Sequence, residues 1–310
     1  MSDAATEWTI GRLIEWTRAF FEKKGIDQPR LESEILLAHV LGLERIALYM
    51  NYELPVTDEQ RTVFRDLVRR RSEREPTRYL IGGTEFMSLA MKVTPACLIP
   101  RPETERLVEE VLALAGVKRR PPGAAAAPTD DPPRALKIID LCTGCGCIAV
   151  SLAAYLPGAT VTATDISAEA LEVARENAQA HGVADRVALL EGDLYEPLDA
   201  ADVQPADFLV ANPPYVAEGE WPALAPEIRE HEPCGALVAG PRGTETIEPL
   251  LKGAPAYLVP GGALVMEIGC DQGAAVAALA AGVRGLEGAA IIKDYAGRDR
   301  FLLAKKPACG

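Results

Sequence analysis

The stretch "LKIIDLCTGCGCIAVSLAAYL", residues 136–156, decides the fold. "LKIIDL" is a short, β-branched apolar run and reads as a buried strand, whereas "CIAVSLAAYL" reads as a helix. Between them Gly144 and Gly146 stand where the chain must turn from one to the other. Without a Cβ, the backbone can turn tightly there and approach a ligand closely. Strand, glycine turn and helix form the opening unit of a parallel sheet.

Toward the C-terminus the alternation continues. "ATVTATDI" (159–166) is a strand, and "SAEALEVARENAQAHG" (167–182) an amphipathic helix with Ser167 as its N-cap. "VALLEGD" (187–193), "DFLVANPPY" (207–215), "GALVMEIG" (262–269) and "FLLAKK" (301–306) read as further strands. The pattern predicts a doubly wound α/β sheet with helices on both faces. Ligands of such sheets bind beyond the carboxyl ends of the strands, so the strand-end residues are the candidates for function.

Toward the N-terminus the pattern changes. Ile10, Leu13, Ile14 and Phe21 fall on one helical stripe, "LESEILLAHVLG" (31–42) repeats it with Gly42 as a stop, and "TDEQ" (57–60) fits a capping box. Residues 1–81 are therefore expected to form a small all-helical domain. "GGTEFMSLAMKVTP" (82–95) alternates like a hairpin, which makes 82–97 the link to a third segment, 98–310. That segment opens with a helix near Pro102. Its Pro/Ala-rich stretch 117–135, without apolar periodicity, is expected to be a flexible surface excursion.

The 310 residues suffice for two domains and a sizeable core. No apolar run approaches the ~20 residues that span a bilayer, and the first residues lack the pattern of a signal peptide. A cytoplasmic protein that does not engage membranes is the expectation, with its seven cysteines as free thiols. The net charge is −13; residues 1–84 carry 13 Lys and Arg against 14 Asp and Glu, so −12 falls on the remainder. That balance opposes direct binding of nucleic acid, which needs basic side chains to displace counterions. Arg69, Arg70, Arg71, Arg74 and Arg78 form a local basic cluster, either a solvated helix face or a partner patch.

Asp165 ends the second strand, 21 residues after Gly144, where a carboxylate can accept hydrogen bonds from ribose hydroxyls. Asp193 lies on the same rim. The spacing Gly144-x-Gly146-x-x-Ala149 also fits a dinucleotide fingerprint, but no hydride-handling constellation accompanies it. His39, His181 and His231 are scattered and read as surface or capping residues. Cys142, Cys145 and Cys147 resemble part of a metal site, yet a glycine turn explains small residues there equally well, and no metal is expected.

The fourth strand ends in Asn212, Pro213, Pro214 and Tyr215. Proline ends the strand and stiffens the turn. A conjugated amino group is a poor nucleophile. A site that methylates one needs two acceptors for its N–H groups and a ring against its plane. Asn212, a backbone carbonyl of the proline turn and Tyr215 are the candidates.

Taken together, "RYLIGGTEF" (78–86), "LIPRPETERLVE" (98–109), the glycine loop, "ATDIS" (163–167), "NPPY" (212–215), "EHEPCGAL" (230–237), "GGALVMEIGCDQG" (261–273) and "KDYAGRDRF" (293–301) make the chain resemble the peptide chain release factor N5-glutamine methyltransferases (the PrmC/HemK family). These are class I S-adenosylmethionine-dependent methyltransferases. The resemblance implies a Rossmann-like methyltransferase sheet with S-adenosyl-L-methionine as cofactor. Cys142, Thr143, Gly144, Cys145 and Gly146 would wrap its methionine part, Asp165 would hold its ribose, and Asp193 and Leu194 would border its adenine. Asn212 and the Pro214 carbonyl would hold the substrate amide, with Tyr215 packed against it. The substrate would be the glutamine of the Gly-Gly-Gln loop of class I release factors, docked with help from the helical domain of a monomeric enzyme. "NPPY" alone is shared with adenine-N6 and guanine-N2 nucleic-acid methyltransferases, which are the alternative. Cys142 stands where the family usually has glycine and is expected at negative φ; left-handed geometry would cost about 1–2 kcal/mol.

Overall fold

The computed structural model describes residues 8–117 and 135–308, and the contacts divide the chain into two units. One comprises Met1–Gly82 together with Ala225–His231, the other Gly83–Leu224 with Glu232–Gly310. Most of the stretch expected to be a flexible excursion, 118–134, lies outside the described residues.

The first unit contains α1 (Ile10–Lys23), α2 (Pro29–Leu41), α3 (Arg45–Met50), α4 (Asp58–Ser72) and α5 (Thr77–Ile81), joined by the distant α10 (Pro226–His231). The expected stripe is buried: Ile10, Leu13, Ile14 and Phe21 pack with Leu36, Leu37, Leu48, Phe64 and Leu67. Gly42 ends α2 in left-handed geometry, and Thr57 with Gln60 forms the capping box of α4. Four arginines of the basic cluster are matched by acids: Arg69 pairs with Asp66 and Glu73, and Arg70 with Glu75. Arg71 bonds Glu32 at 2.8 Å and Glu227 at 3.2 Å, and Arg74 reaches the same Glu227 at 3.1 Å. Arg71 and Arg74 thereby fasten α10 to the unit, and all four are paired rather than presenting bare positive charge.

The second unit opens with a hairpin, β1 (Gly83–Phe86) and β2 (Leu89–Lys92), followed by α6 (Glu105–Leu114) behind a 3-10 turn at Pro102–Thr104. Its main sheet alternates β3 (Lys137–Leu141), α7 (Cys147–Tyr155), β4 (Thr160–Asp165), α8 (Ala168–Ala180), β5 (Val187–Glu191), α9 (Glu196–Ala200) and β6 (Ala206–Ala211). A short parallel pair, β7 (Val216–Ala217) and β8 (Val238–Gly240), precedes α11 (Ile247–Tyr257), β9 (Leu258–Glu267), α12 (Gly273–Ala281), β10 (Glu287–Lys293) and β11 (Asp299–Lys305). The seven strands run in the order β10-β11-β9-β6-β3-β4-β5.

Neighbours β9, β6, β3, β4 and β5 are parallel, and β11 is antiparallel to both β9 and β10. Alternate residues Ile139, Leu141, Leu209, Ala211, Leu264 and Met266 pack on one face with α11 and α12. The interleaved Ile138, Phe208, Val210 and Val265 are equally buried on the other, where α6 packs on β9 and α7 on β4. Burial of both faces explains the continuous apolar runs that mark these strands in the sequence. Strand β10, absent from the sequence reading, is the weak "EGAAIIK" edge, held in place by β11 and α12.

Strand β3 is central, and its two neighbours lie on opposite sides: β4 follows it directly, while β6 comes later in the chain. The sheet therefore reverses direction between β3 and β6, the topological switch point at which such sheets bind ligands. Leu141 pairs with Ala211 across these strands. The glycine loop and the Asn212 turn thus leave the sheet side by side.

Candidate active site

A cavity of ≈ 320 Å³ opens at this switch point. Cys142, Thr143, Gly144, Cys145, Asp165, Asp193, Leu194, Asn212 and Pro214 all line it. Among the other residues singled out from the sequence, Gly146, Pro213 and Tyr215 do not line it.

The glycine loop is held from several sides. The Thr143 amide donates to the Thr164 carbonyl (3.0 Å), and the Gly144 amide to Asp165 Oδ2 (2.8 Å). The other oxygen of Asp165 accepts from the Ser167 amide (3.0 Å). Buried Asn177 of α8 donates to the Cys145 carbonyl and also to that of Lys92, joining the loop to β2. Gly144 and Gly146 have φ of 57° and 78°. A Cβ at Gly144 would meet nothing within 4 Å, so its backbone faces open space. At Gly146 it would strike Ala174 of α8 at 2.9 Å. Gly146 therefore permits close packing of the helix that follows against α8.

Cys142 corrects one expectation: its φ is +60°, in the left-handed region, not negative. The strain expected of a non-glycine residue there, about 1–2 kcal/mol, is present. The loop's other anchors over-determine the backbone and enforce it. Its partly covered thiol is pushed above the usual range by lost solvation and by Asp165, Asp140 and Asp193, which leaves little thiolate. Among the described residues no three His, Cys, Asp or Glu side chains converge as a metal site.

Asp140, not singled out from the sequence, is fully buried beneath the loop. Its Oδ2 accepts from the Thr143 hydroxyl at 2.6 Å, and its Oδ1 has no hydrogen-bond partner. Burial pushes its carboxyl up to about 7, and burial also raises that of Asp165. The carboxylates of Asp165 and Asp193 on the cavity rim fit a cofactor that carries an ammonium and a sulfonium. The Cβ-free backbone at Gly144 fits close approach of its chain.

On the other side of the switch point, the Asn212 side-chain amide donates to Thr104 Oγ1 at 3.4 Å. The Thr104 hydroxyl in turn donates to Glu267 Oε2 at 2.6 Å, and the Tyr215 hydroxyl to Glu267 Oε1 at 3.3 Å. Glu267 ends β9, one residue beyond Met266, which pairs with Ala211 next to Asn212. Burial raises its carboxyl above the usual range, against the Thr104 hydrogen bond and the charge of Arg300. Gln272 completes the support: its Nε2 donates to the carbonyls of Tyr215 (2.9 Å) and Gly243 (3.1 Å), and its Oε1 accepts from the Gly269 amide (2.9 Å). Glu232 ties the Ile99 amide (3.3 Å) and Arg101 (2.6 Å) over the same end of the sheet. Thr104, Glu267, Gln272 and Glu232 lay inside quoted motifs, but nothing in their spacing singled them out.

Residues 12–82 match the PrmC N-terminal domain and residues 128–229 the methyltransferase small domain. The release factor glutamine methyltransferase of Rhodopirellula baltica is 42% identical over 97% of this chain and 97% of its own length. That of Moorella thermoacetica is 45% identical over 90% of this chain and 92% of its own length. Among solved structures, the hMettl16 catalytic domain in complex with a MAT2A 3′UTR hairpin superposes with a TM-score of 0.53 at 16% identity, covering 82% of this chain and 83% of that one. That likeness concerns the fold alone.

Proposed function

The chain belongs to the family of release factor glutamine methyltransferases, and from that premise we propose that it methylates the side-chain amide nitrogen of the glutamine in the Gly-Gly-Gln loop of class I peptide chain release factors. S-adenosylmethionine, when bound, supplies a methyl group on a positively charged sulfur. Asp165 receives ribose hydroxyls on oxygens already oriented by the Gly144 and Ser167 amides. Residues 142–145 offer backbone to the methionine part, with Asp193 and Leu194 beside the base.

The observation that carries the substrate reading is the orientation of Asn212. Its NH2 is engaged by Thr104, which leaves its carbonyl oxygen as an acceptor at the cavity wall beside Pro214. Two acceptors, Asn212 Oδ1 and the Pro214 carbonyl, match the two N–H groups of a primary carboxamide. They orient its nitrogen lone pair out of the amide plane, and position and fixed dipoles supply the catalysis. Tyr215, anchored on Glu267, stiffens the turn next to the substrate plane. As the N–C bond forms, the S–C bond to the methyl would break and leave a neutral thioether; the nitrogen's proton becomes strongly acidic and passes to solvent, so no general base is required.

The division into a docking domain of residues 1–81, a linker 82–97 and a catalytic domain 98–310 belongs to the same proposal. So do action as a monomer, a cytoplasmic location and a protein rather than nucleic-acid substrate. The charge of −12 beyond residue 84 supports the last of these. No helix among the described residues is long and apolar enough to cross a membrane. The test is methyl transfer from labelled S-adenosylmethionine to purified release factor, DNA and RNA, with the modified peptide located by mass spectrometry. Label on the Gly-Gly-Gln glutamine is expected; label confined to nucleic acid overturns the substrate.

A further inference from the structure

We infer that Glu267 and Thr104 are positioning residues that fix which end of the Asn212 amide faces the substrate. The inference rests on the proposed role of Asn212 and deepens it. An asparagine amide has an acceptor and a donor end of nearly equal size, so shape alone does not choose between them. The wrong choice turns an NH2 toward the NH2 of the substrate and loses the hydrogen bond.

The chain of donors makes the choice. Glu267 accepts from the Thr104 and Tyr215 hydroxyls, and its Oε2 thereby takes the single proton of the Thr104 hydroxyl at 2.6 Å. With that proton committed, Thr104 Oγ1 can only accept from Asn212, whose Nδ2 lies 3.4 Å away. The Asn212 oxygen is then directed away from Thr104. The second oxygen of Glu267 takes the Tyr215 hydroxyl at 3.3 Å. One buried carboxylate, 1% exposed, thereby orders both polar side chains of the turn. The groups around it are Thr104 and Tyr215 with the charges of Arg300 and Glu103; Arg300 favours the ionised form and Glu103 opposes it. Thr104, Asn212 and Glu267 come from three separate elements, which explains why their coupling is invisible along the chain.

Thr104→Val keeps the shape and removes the hydroxyl. It is expected to lower kcat about 10²-fold, the scale of a misplaced reacting group, with the Kd for S-adenosylmethionine and the KM for release factor nearly unchanged. Thr104→Ser, which restores the hydroxyl, should recover most of kcat. In an Asn212→Ala background Thr104→Val should have no further effect, because it acts through Asn212. Glu267→Gln leaves one acceptor oxygen for two hydroxyls and should lower kcat by about 10-fold. A folded Thr104→Val enzyme with wild-type kcat, or full additivity in the double variant, overturns the relay. Unchanged kcat in Glu267→Gln removes Glu267 from it. Wild-type enzyme that leaves the release factor unlabelled overturns the substrate reading instead, so the two failures are distinct.

Discussion

The two walls of the cavity are built on different principles. The cofactor wall, residues 142–145 with Asp165, is made of backbone bent into left-handed geometry at Cys142 and Gly144, above the buried carboxyl of Asp140. Nearly all of it is consecutive in the chain. The substrate wall has no left-handed residue within its Asn212–Tyr215 turn, and side chains from residues 104, 267 and 272 hold it. A wall made of backbone tolerates changes in side chains that do not alter φ. A wall made of side-chain hydrogen bonds fails when one polar atom is lost.

The largest expected effect tests the buried carboxyl under the cofactor wall. Asp140 has its carboxyl raised from 3.8 to about 7 by burial, a displacement on the order of 4 kcal/mol. Between these values the folded chain holds a proton that the unfolded chain has released. Its contribution to stability is therefore full below the ordinary aspartate range and is lost as pH rises through about 7. The urea midpoint of the wild type should fall across pH 4 to 7 more steeply than that of Asp140→Asn. Equal slopes would mean that Asp140 is ionised in the fold throughout. Asp165, raised in the same sense, contributes to the slope remaining in the variant.

Next is the substrate wall, where Asn212→Ala should reduce turnover about 10²–10³-fold through loss of one preorganised acceptor. Labelled transfer to release factor measures it, and unaltered turnover would take Asn212 out of the site. Asp165→Ala should weaken binding of S-adenosylmethionine by ~1–3 kcal/mol in calorimetry, since a charged acceptor and the Gly144 anchor are both lost. An unchanged Kd would move the ribose contact elsewhere. Smallest is Cys142→Gly: relief of about 1–2 kcal/mol of strain, less the entropy glycine adds to the unfolded chain, leaves up to about 1 kcal/mol of added stability in denaturant. A loss of stability would show that packing of the Cys142 side chain outweighs its strain.

Much of this was legible along the chain because it is local. The glycine turn between "LKIIDL" and "CIAVSLAAYL", the apolar stripe of α1, the capping box at Thr57 and Gln60 and the proline stop after β6 each act over a few residues. Short-range sterics and periodicity are written in adjacent letters. The sign of φ at Cys142 was not, since a cysteine has no intrinsic preference for left-handed geometry and the loop's distant anchors impose it. Strand β10 was missed for a similar reason, because edge strands take their order from pairing rather than propensity.

Local patterns along the chain specify the α/β class, the strand ends that border the cavity and the residue types that line it. Only the tertiary structure decided which strands are neighbours. By placing β6 between β3 and β9, it set the glycine loop beside Asn212 and brought Thr104 and Glu267 to the same turn. Hydrogen bonds between residues more than a hundred positions apart leave no trace in periodicity, because their partners are chosen by the order of strands in space and not by their order along the chain.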